Sequence, residues 1–421
     1  MMRIELKPTL EYGKIIAMNR MKQSITQEEL ARGLCSITYL SKLENGKLEQ
    51  PNAETVQLLL ERLGISMCSL KEHQKEIKEL ISSIYACINE KNHYLVDQHW
   101  TQLNEIIEKN DDPSLYVYYL LISYRYFLSK EDRGNATENR NEILLLLKTL
   151  TSTQLFYFHY FDGIFHCLDQ KFLEGIRSFQ KALSVQNNYP TEDPFLLYHT
   201  ALAYSNVHNT TLALQYALDV LDVFEKKLNY LRVIDCHIII GINYTRIKQY
   251  DRALEHYNNV LKVVHQFNKE DLIAMVYHNI GFLYSEKKAS KLAIDYFLKS
   301  LELKKEMTPV YLNTVYFLAN ELIKVKQFDQ ANDWINKSLS LITSPSTYSI
   351  KLKLLAYSIS GNSDEHKHYL LEEAVPFYKE KNDFKNLYTC YELLGDLYSQ
   401  EFKYKASSKY YKLALNVKNK Q

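Results

Sequence analysis

The chain has 421 residues, with 46% hydrophobic and 24% charged residues, 11 glycines and 8 prolines. It is apolar enough for packed cores and too poor in turn formers for a protein of many strands, so helices are expected. The formal net charge is +1, which excludes a generally basic nucleic-acid binder and leaves only a local patch for that role.

The first 66 residues read as a small domain of four to five short helices. The segment TQEEL opens the second helix, with Thr26 placed to cap the chain three residues on and Glu29 placed to reach back. Leu30, Ala31 and Leu34 form its apolar face, and a very short turn at Cys35, without a glycine of its own, leads to the next helix. Ser36 is the cap of that third helix, SITYLSKLEN, which buries Leu40 and Leu43 and stops at Gly46. Pro51 and Asn52 start a fourth helix with Val56, Leu59, Leu60 and Leu63 facing in.

Two helices joined by a tight turn form the unit that inserts its second helix into a major groove. The string TQEELARGLCSITYLSKLENGK resembles the Xre, or lambda-repressor, class of helix-turn-helix domains. If Leu40 and Leu43 face the core, Ile37, Thr38, Ser41 and Lys42 project towards bases beside the capping Ser36. Lys42 can donate to guanine, Thr38 and Ser41 can bond either kind of edge, and Ile37 can pack on a thymine methyl. The resemblance implies that Gln27, Asn45 and Lys47 hold phosphates and set register. Residues 1–66 carry 9 basic and 8 acidic side chains, so one copy should bind weakly and a pair over two half-sites is expected.

A linker helix is expected over 67–80, followed by repeats over 81–421. Gly281 is followed by Tyr284, Ala293, Phe297 and Ser300, at offsets of 3, 12, 16 and 19 residues. These are the small, aromatic, Ala, aromatic and small anchors of a tetratricopeptide hairpin. Further copies start at 163, 201, 241, 319 and 395, giving an all-α solenoid of about eight or nine hairpins, with 81–150 and 350–380 poorly anchored. Most of the 34 tyrosines are then packing residues. The first helix of each hairpin lines a concave side suited to a peptide. Its inward positions carry Asn206, Arg246, Asn279, Asn313, Tyr316 and Asn320, with Arg125 on an earlier helix. Asn is a poor helix former, and its recurrence on one face suggests amides that bond an extended backbone.

The order of Xre-like domain and repeats of 38 to 40 residues is similar to the peptide-pheromone receptors of the Rap, Rgg, NprR, PlcR and PrgX group. MNRMKQSITQEELARGLCSITYLSKLENG is most similar to the NprR-like members. The resemblance implies a quorum-sensing transcription factor that binds operator DNA and a short re-imported peptide and changes its self-association. It also implies a second partner, a response regulator of the sporulation phosphorelay that loses its phosphate; no catalytic residue is matched for that.

The residues themselves show no Walker loop, GxSxG, HExxH or dinucleotide fingerprint, so no enzyme chemistry and no cofactor is expected. His166, His199 and His278 read as interior or surface histidines of repeat helices, and EKNDD near 110 as a solvated loop rather than a metal site. The cysteines lack zinc spacing and read as buried small hydrophobes. No segment has the length of a signal peptide or membrane span, so a cytoplasmic protein without membrane contact is expected. A prophage repressor of the same architecture is the remaining alternative.

Overall fold

A computed structural model describes residue 2 and residues 12–48, 50–107, 115–186, 193–264, 269–305, 308–340, 342 and 344–418. Regular structure among the described residues is helical throughout, in two compact units, 1–239 and 240–421.

The first unit opens with α1 (Tyr12–Lys22), α2 (Gln27–Ala31), α3 (Ile37–Glu44) and α4 (Ala53–Arg62). Ile15, Ile16, Leu30, Ala31, Leu40, Leu43, Val56, Leu59 and Leu60 form a core of their own. The hairpins that follow pair α5 (Met67–Asn89) with α6 (His93–Ile107) and α7 (Tyr116–Ser129) with α8 (Arg133–Leu146). Next come α9 (Ser152–Leu168) with α10 (Phe172–Gln186), and α11 (Pro194–Asn206) with α12 (Thr210–Lys226). The expected boundary between linker and repeats at residue 80 falls inside α5. Leu70 of that helix packs into the helix-turn-helix core, while Ile77, Ile81, Ile84 and Tyr85 pack into the repeats.

The helix α13 (Tyr230–Arg246) contributes to both units. The second unit continues with α14 (Tyr250–Val264), α15 (Glu270–Glu286), α16 (Ser290–Leu303), α17 (Pro309–Lys324) and α18 (Phe328–Ser340). It ends with α19 (Thr347–Ser360), α20 (Ser363–Tyr369), α21 (Val375–Glu380), α22 (Phe384–Gln400) and α23 (Tyr404–Lys418). Between α20 and α21 a π turn runs from Leu370 to Ala374, just before Pro376. A proline has no N–H for the preceding turn, and the wider turn absorbs the loss in this poorly anchored stretch.

The anchor spacing has a direct steric reason. A Cβ added at Gly163 would lie 2.3 Å from the Phe179 ring, at Gly241 2.5 Å from Tyr257, at Gly281 2.7 Å from Phe297 and at Gly395 2.6 Å from Tyr411. The small residue is therefore the seat of the aromatic ring sixteen positions on. Seven residues after each anchor the chain turns through a positive φ, at Gln170 (60°), His208 (59°), Lys248 (62°), Lys288 (60°), Lys326 (63°) and Phe402 (59°). The amides there bond back to the first helix, as Lys248 N to Thr245 O at 3.0 Å and Gln249 N to Tyr244 O at 2.9 Å. This is a left-handed helix stop made without glycine, so the sequence carries no turn signal for it. Tyr85, Tyr118, Tyr124, Tyr157, Tyr160, Tyr257 and Tyr378 are fully buried packing residues.

Candidate DNA-binding face and inner face of the repeats

The helix-turn-helix is built by local hydrogen bonds and then braced from a distance. Thr26 and Glu29 form the capping box, with Thr26 N donating to Glu29 Oε2 at 2.8 Å, and Ser36 Oγ accepts from Tyr39 N at 3.1 Å. The turn between α2 and α3 does use a glycine. The second helix stops at Ala31, before Leu34, and Gly33 takes a φ of 74°. The expected glycine-free turn at Cys35 is thus corrected, because a five-residue helix reaches its left-handed stop earlier than the apolar pattern suggested.

Two contacts not read from the sequence position α3. Gly13 of α1 packs so closely that a Cβ would lie 1.9 Å from Leu43 O. Arg20 of α1 holds Glu44 with both arms, Nε to Oε1 at 2.7 Å and Nη2 to Oε2 at 2.9 Å, a fork matched to a carboxylate. Gln27 Nε2 donates to the same Glu44 Oε2 at 2.6 Å, so this half-buried side chain is tied to the end of α3. On the other side of α3, Ile37 is 48% exposed, Thr38 and Lys42 are exposed and Ser41 is half-buried. Ser36, Asn45 and Lys47 are exposed as well; the Asn45 amide donates to Ser41 O at 2.7 Å. Tyr39 Oη accepts from Asn52 N at 2.8 Å and ties the chain after α3 back to it.

In the first unit Arg125 is buried. It is 6% exposed, lies within electrostatic range of Tyr160, Tyr85, Arg232 and Asp193, and its Nε has no hydrogen-bond partner. Packing of α7 against α5 and α9 covers it, so it stands beneath the inner face and not on its open surface. Burial draws its ionisation downward. Nearby, Tyr85 Oη donates to Asp193, and Tyr160 Oη lies 2.9 Å from His199 Nδ1. Asn206 is exposed, its amide donating to Leu202 O at 2.8 Å.

In the second unit Arg246, Asn279, Asn313, Tyr316 and Asn320 are all half-buried. Arg246 Nη1 donates to Asn243 Oδ1 at 3.3 Å. The Asn313 amide lies 3.5 Å from His278 Nε2, while His278 Nδ1 lies 2.9 Å from Thr314 Oγ1. Asn320 donates to Tyr316 O at 2.8 Å, and Lys351 Nζ stands 5.5 Å from the Tyr316 ring centre. Asn206 and Asn320 thus spend amide protons on their own helices and keep carbonyl oxygens as acceptors, the geometry of an Asn shielding a helix turn.

Burial pushes His278 down to about 3 and His199 well below the usual imidazole range, so both half-buried imidazoles are held neutral. His166 lies 3.5 Å from Asp162, which Arg140 and Ser178 also bind. Among the described residues no three His, Cys, Asp or Glu side chains form a metal cluster, and residues 108–112 lie outside the described residues. Cys87, Cys236 and Cys390 are buried, but Cys68, in the first turn of α5, is exposed. Among the described residues no helix is long and apolar enough to cross a membrane.

The molecule is accordingly a helix-turn-helix protein carried on tetratricopeptide repeats. The helix-turn-helix family model matches residues 16–70, and tetratricopeptide models match 233–306 and 388–421. The chain is similar to the transcriptional activator NprA of Geobacillus stearothermophilus, 26% identical over 91% of this chain and 98% of the relative. It is also similar to response regulator aspartate phosphatase H of Bacillus subtilis, 23% identical over 74% of this chain and 86% of the relative. Among solved structures, the apo form of the quorum sensor NprR from B. thuringiensis superposes with a TM-score of 0.71 at 24% identity, over 82% of this chain and 99% of that one. NprR in complex with its cognate peptide NprX gives 0.62 at 25% identity, over 82% and 98%. The resemblance to the NprR-like group read from the sequence is therefore borne out in architecture, from the helix-turn-helix through the repeats.

Proposed function

We propose that the chain is a cytoplasmic transcription regulator that binds operator DNA through α3 and responds to a short peptide held on the inner face of the repeats. The observation that carries this reading is the outer side of α3. Ile37, Thr38 and Lys42 stand exposed there, while Leu40 and Leu43 anchor the same helix in a braced core. The likeness to an activator over nearly its whole length supports the same reading. Asn279, Asn313, Tyr316 and Asn320 are the proposed peptide contacts of the second unit, with Arg246 beside them and Asn206 in the first unit. Arg125 enters as a buried residue near the inner layer rather than as a surface contact.

Self-association belongs to the proposal because a nearly neutral single domain binds DNA weakly, and two copies sum their contacts over paired half-sites. The test is selection of genomic fragments by the full chain, repeated with synthetic peptides encoded by short reading frames beside its gene. Retained fragments whose affinity and complex size move with one peptide support the reading. Retention of no fragment refutes the DNA role, and indifference to every peptide refutes the regulation.

The similarity to an aspartate phosphatase over three quarters of the chain favours a second reading, docking of a response regulator on the repeats. Incubation with a phosphorylated regulator decides it. Faster phosphate loss supports it, and an unchanged rate removes it.

A further inference from the structure

The helix α5 belongs to two cores. Met67 and Leu70 pack with the helix-turn-helix, and Ile77 to Ile88 pack with the repeats. Its 23 residues span about 35 Å at the helical rise. A helix of this kind ends in carbonyls that its own turns cannot satisfy. One of these is taken by a residue 143 positions away: Arg232 of α13 donates to Asn89 O from Nε at 3.1 Å and from Nη2 at 2.7 Å.

The guanidinium is held on every side. Its Nη1 donates to Asp235 Oδ2 at 3.0 Å, and Lys91 reaches the same oxygen at 3.1 Å. The ring centres of Tyr198 and Phe195 lie 4.8 and 5.5 Å from its carbon. Arg232 is 5% exposed, and the side chain of Asn89 beside the contact is buried with neither amide atom bonded. A cation at a helix carboxyl end matches the partial negative charge there, and the desolvated Asn89 amide makes the junction costly to hold in place. The contact is therefore a charge-assisted one set beside an unsatisfied buried amide.

We propose that Arg232 is the positioning residue of the DNA-binding unit. It pins the carboxyl end of α5, so the pose of the helix-turn-helix at the other end of that helix depends on this contact as well as on the burial of Ile77 to Ile88 in the repeats. Making or breaking that contact regulates DNA binding. The regulatory half rests on the reading of the chain as a DNA-binding regulator; the mechanical half does not.

The test is hydrogen exchange on the full chain with Arg232→Met, which keeps the aliphatic stem, and with Arg232→Lys, which keeps the charge but not the fork. Amides of residues 84–92 should exchange at least tenfold faster, those of 53–70 at least threefold faster, and those of α16 at an unchanged rate. If the Met variant loses its helical circular dichroism, the Lys variant is read alone, with the same direction expected. Acceleration confined to 84–92, or none, overturns the mechanical half. Genomic fragments retained by the unsubstituted chain should bind the variants with at least fivefold altered affinity, and equal affinity overturns the regulatory half. Retention of no fragment by the unsubstituted chain refutes the DNA-binding reading, and with it the regulatory half, while the exchange result still decides the mechanical one.

Discussion

Gly13 and Leu43 meet across the helix-turn-helix with no room for a methyl group: a Cβ on Gly13 would stand 1.9 Å from the Leu43 carbonyl oxygen. That oxygen lies near the carboxyl end of α3, so the approach of α1 helps set the tilt at which α3 is presented. The opposing atom is backbone and cannot rotate away. Gly13→Ala should therefore cost about 3 kcal/mol, the upper part of the overpacking range. Thermal melts followed by exchange at Leu40 and Leu60 should show the loss in this unit, with residues 290–300 unaffected. An unshifted melt of the first unit would mean that α1 slides at little cost.

The seat of Phe297 on Gly281 makes a second, sharper prediction. The ring is fully buried, so Phe297→Ala should cost about 3 to 5 kcal/mol through lost transfer energy and a cavity. Gly281→Ala should cost about 1 to 3 kcal/mol by overpacking. Because the two groups compete for one space, Gly281→Ala combined with Phe297→Leu should be less destabilised than the sum of the two single changes. Chemical denaturation of the unsubstituted chain, the single variants Gly281→Ala and Phe297→Leu, and the double variant checks this, and simple additivity would refute the shared seat.

Lys326 carries a φ of 63° at an exposed turn. An L residue in that region is strained by about 1 kcal/mol relative to glycine. Lys326→Gly should thus stabilise the second unit by close to that amount, whereas a glycine in the middle of a helix destabilises. Denaturant midpoints at constant slope are the measurement. A lower midpoint would count against the left-handed stop.

His278 gives a pH dependence with a definite sign. Its folded pKa is pushed down to about 3 by burial, against an ordinary value of 6.5. Below 6.5 the unfolded chain takes up a proton that the folded chain refuses, so stability falls as pH falls, and the loss continues until about pH 3. One such group contributes a slope of about 1.4 kcal/mol per pH unit within that window. His278→Gln should remove about that much of the slope between pH 6 and pH 4, whatever it does to stability at pH 8. An unchanged slope would show that the imidazole is hydrated.

For the proposed DNA-binding face, Thr38→Ala and Lys42→Ala should each lose about 1 to 3 kcal/mol of discrimination at one base position. Lys47→Ala should weaken all sequences alike and reduce the salt slope by about one. Binding isotherms at several salt concentrations separate the two behaviours. A uniform loss for Lys42 would move it to the phosphate class.

The signals legible in the sequence were the local ones. The capping box at Thr26 and Glu29, the cap at Ser36 and the offset between Gly281 and Phe297 act within one turn or one hairpin, so residue spacing alone reports them. The left-handed stops at Lys248 and Lys326 are equally local but carry no glycine to mark them. The α2 stop at Gly33 was obscured because Leu34 continued the apolar pattern past it.

The one-dimensional text determined the all-helical class, the helix-turn-helix and the register of the repeats, since each is a periodicity in side-chain size and polarity. Only the tertiary structure decided that Arg20 and Gln27 converge on Glu44, that Arg125 is sealed in the repeats, and that Arg232 closes on Asn89. Each of these depends on how separate helices pack against one another. Hydrophobic burial drives that assembly without direction, and the polar contacts that follow from it leave no spacing to read.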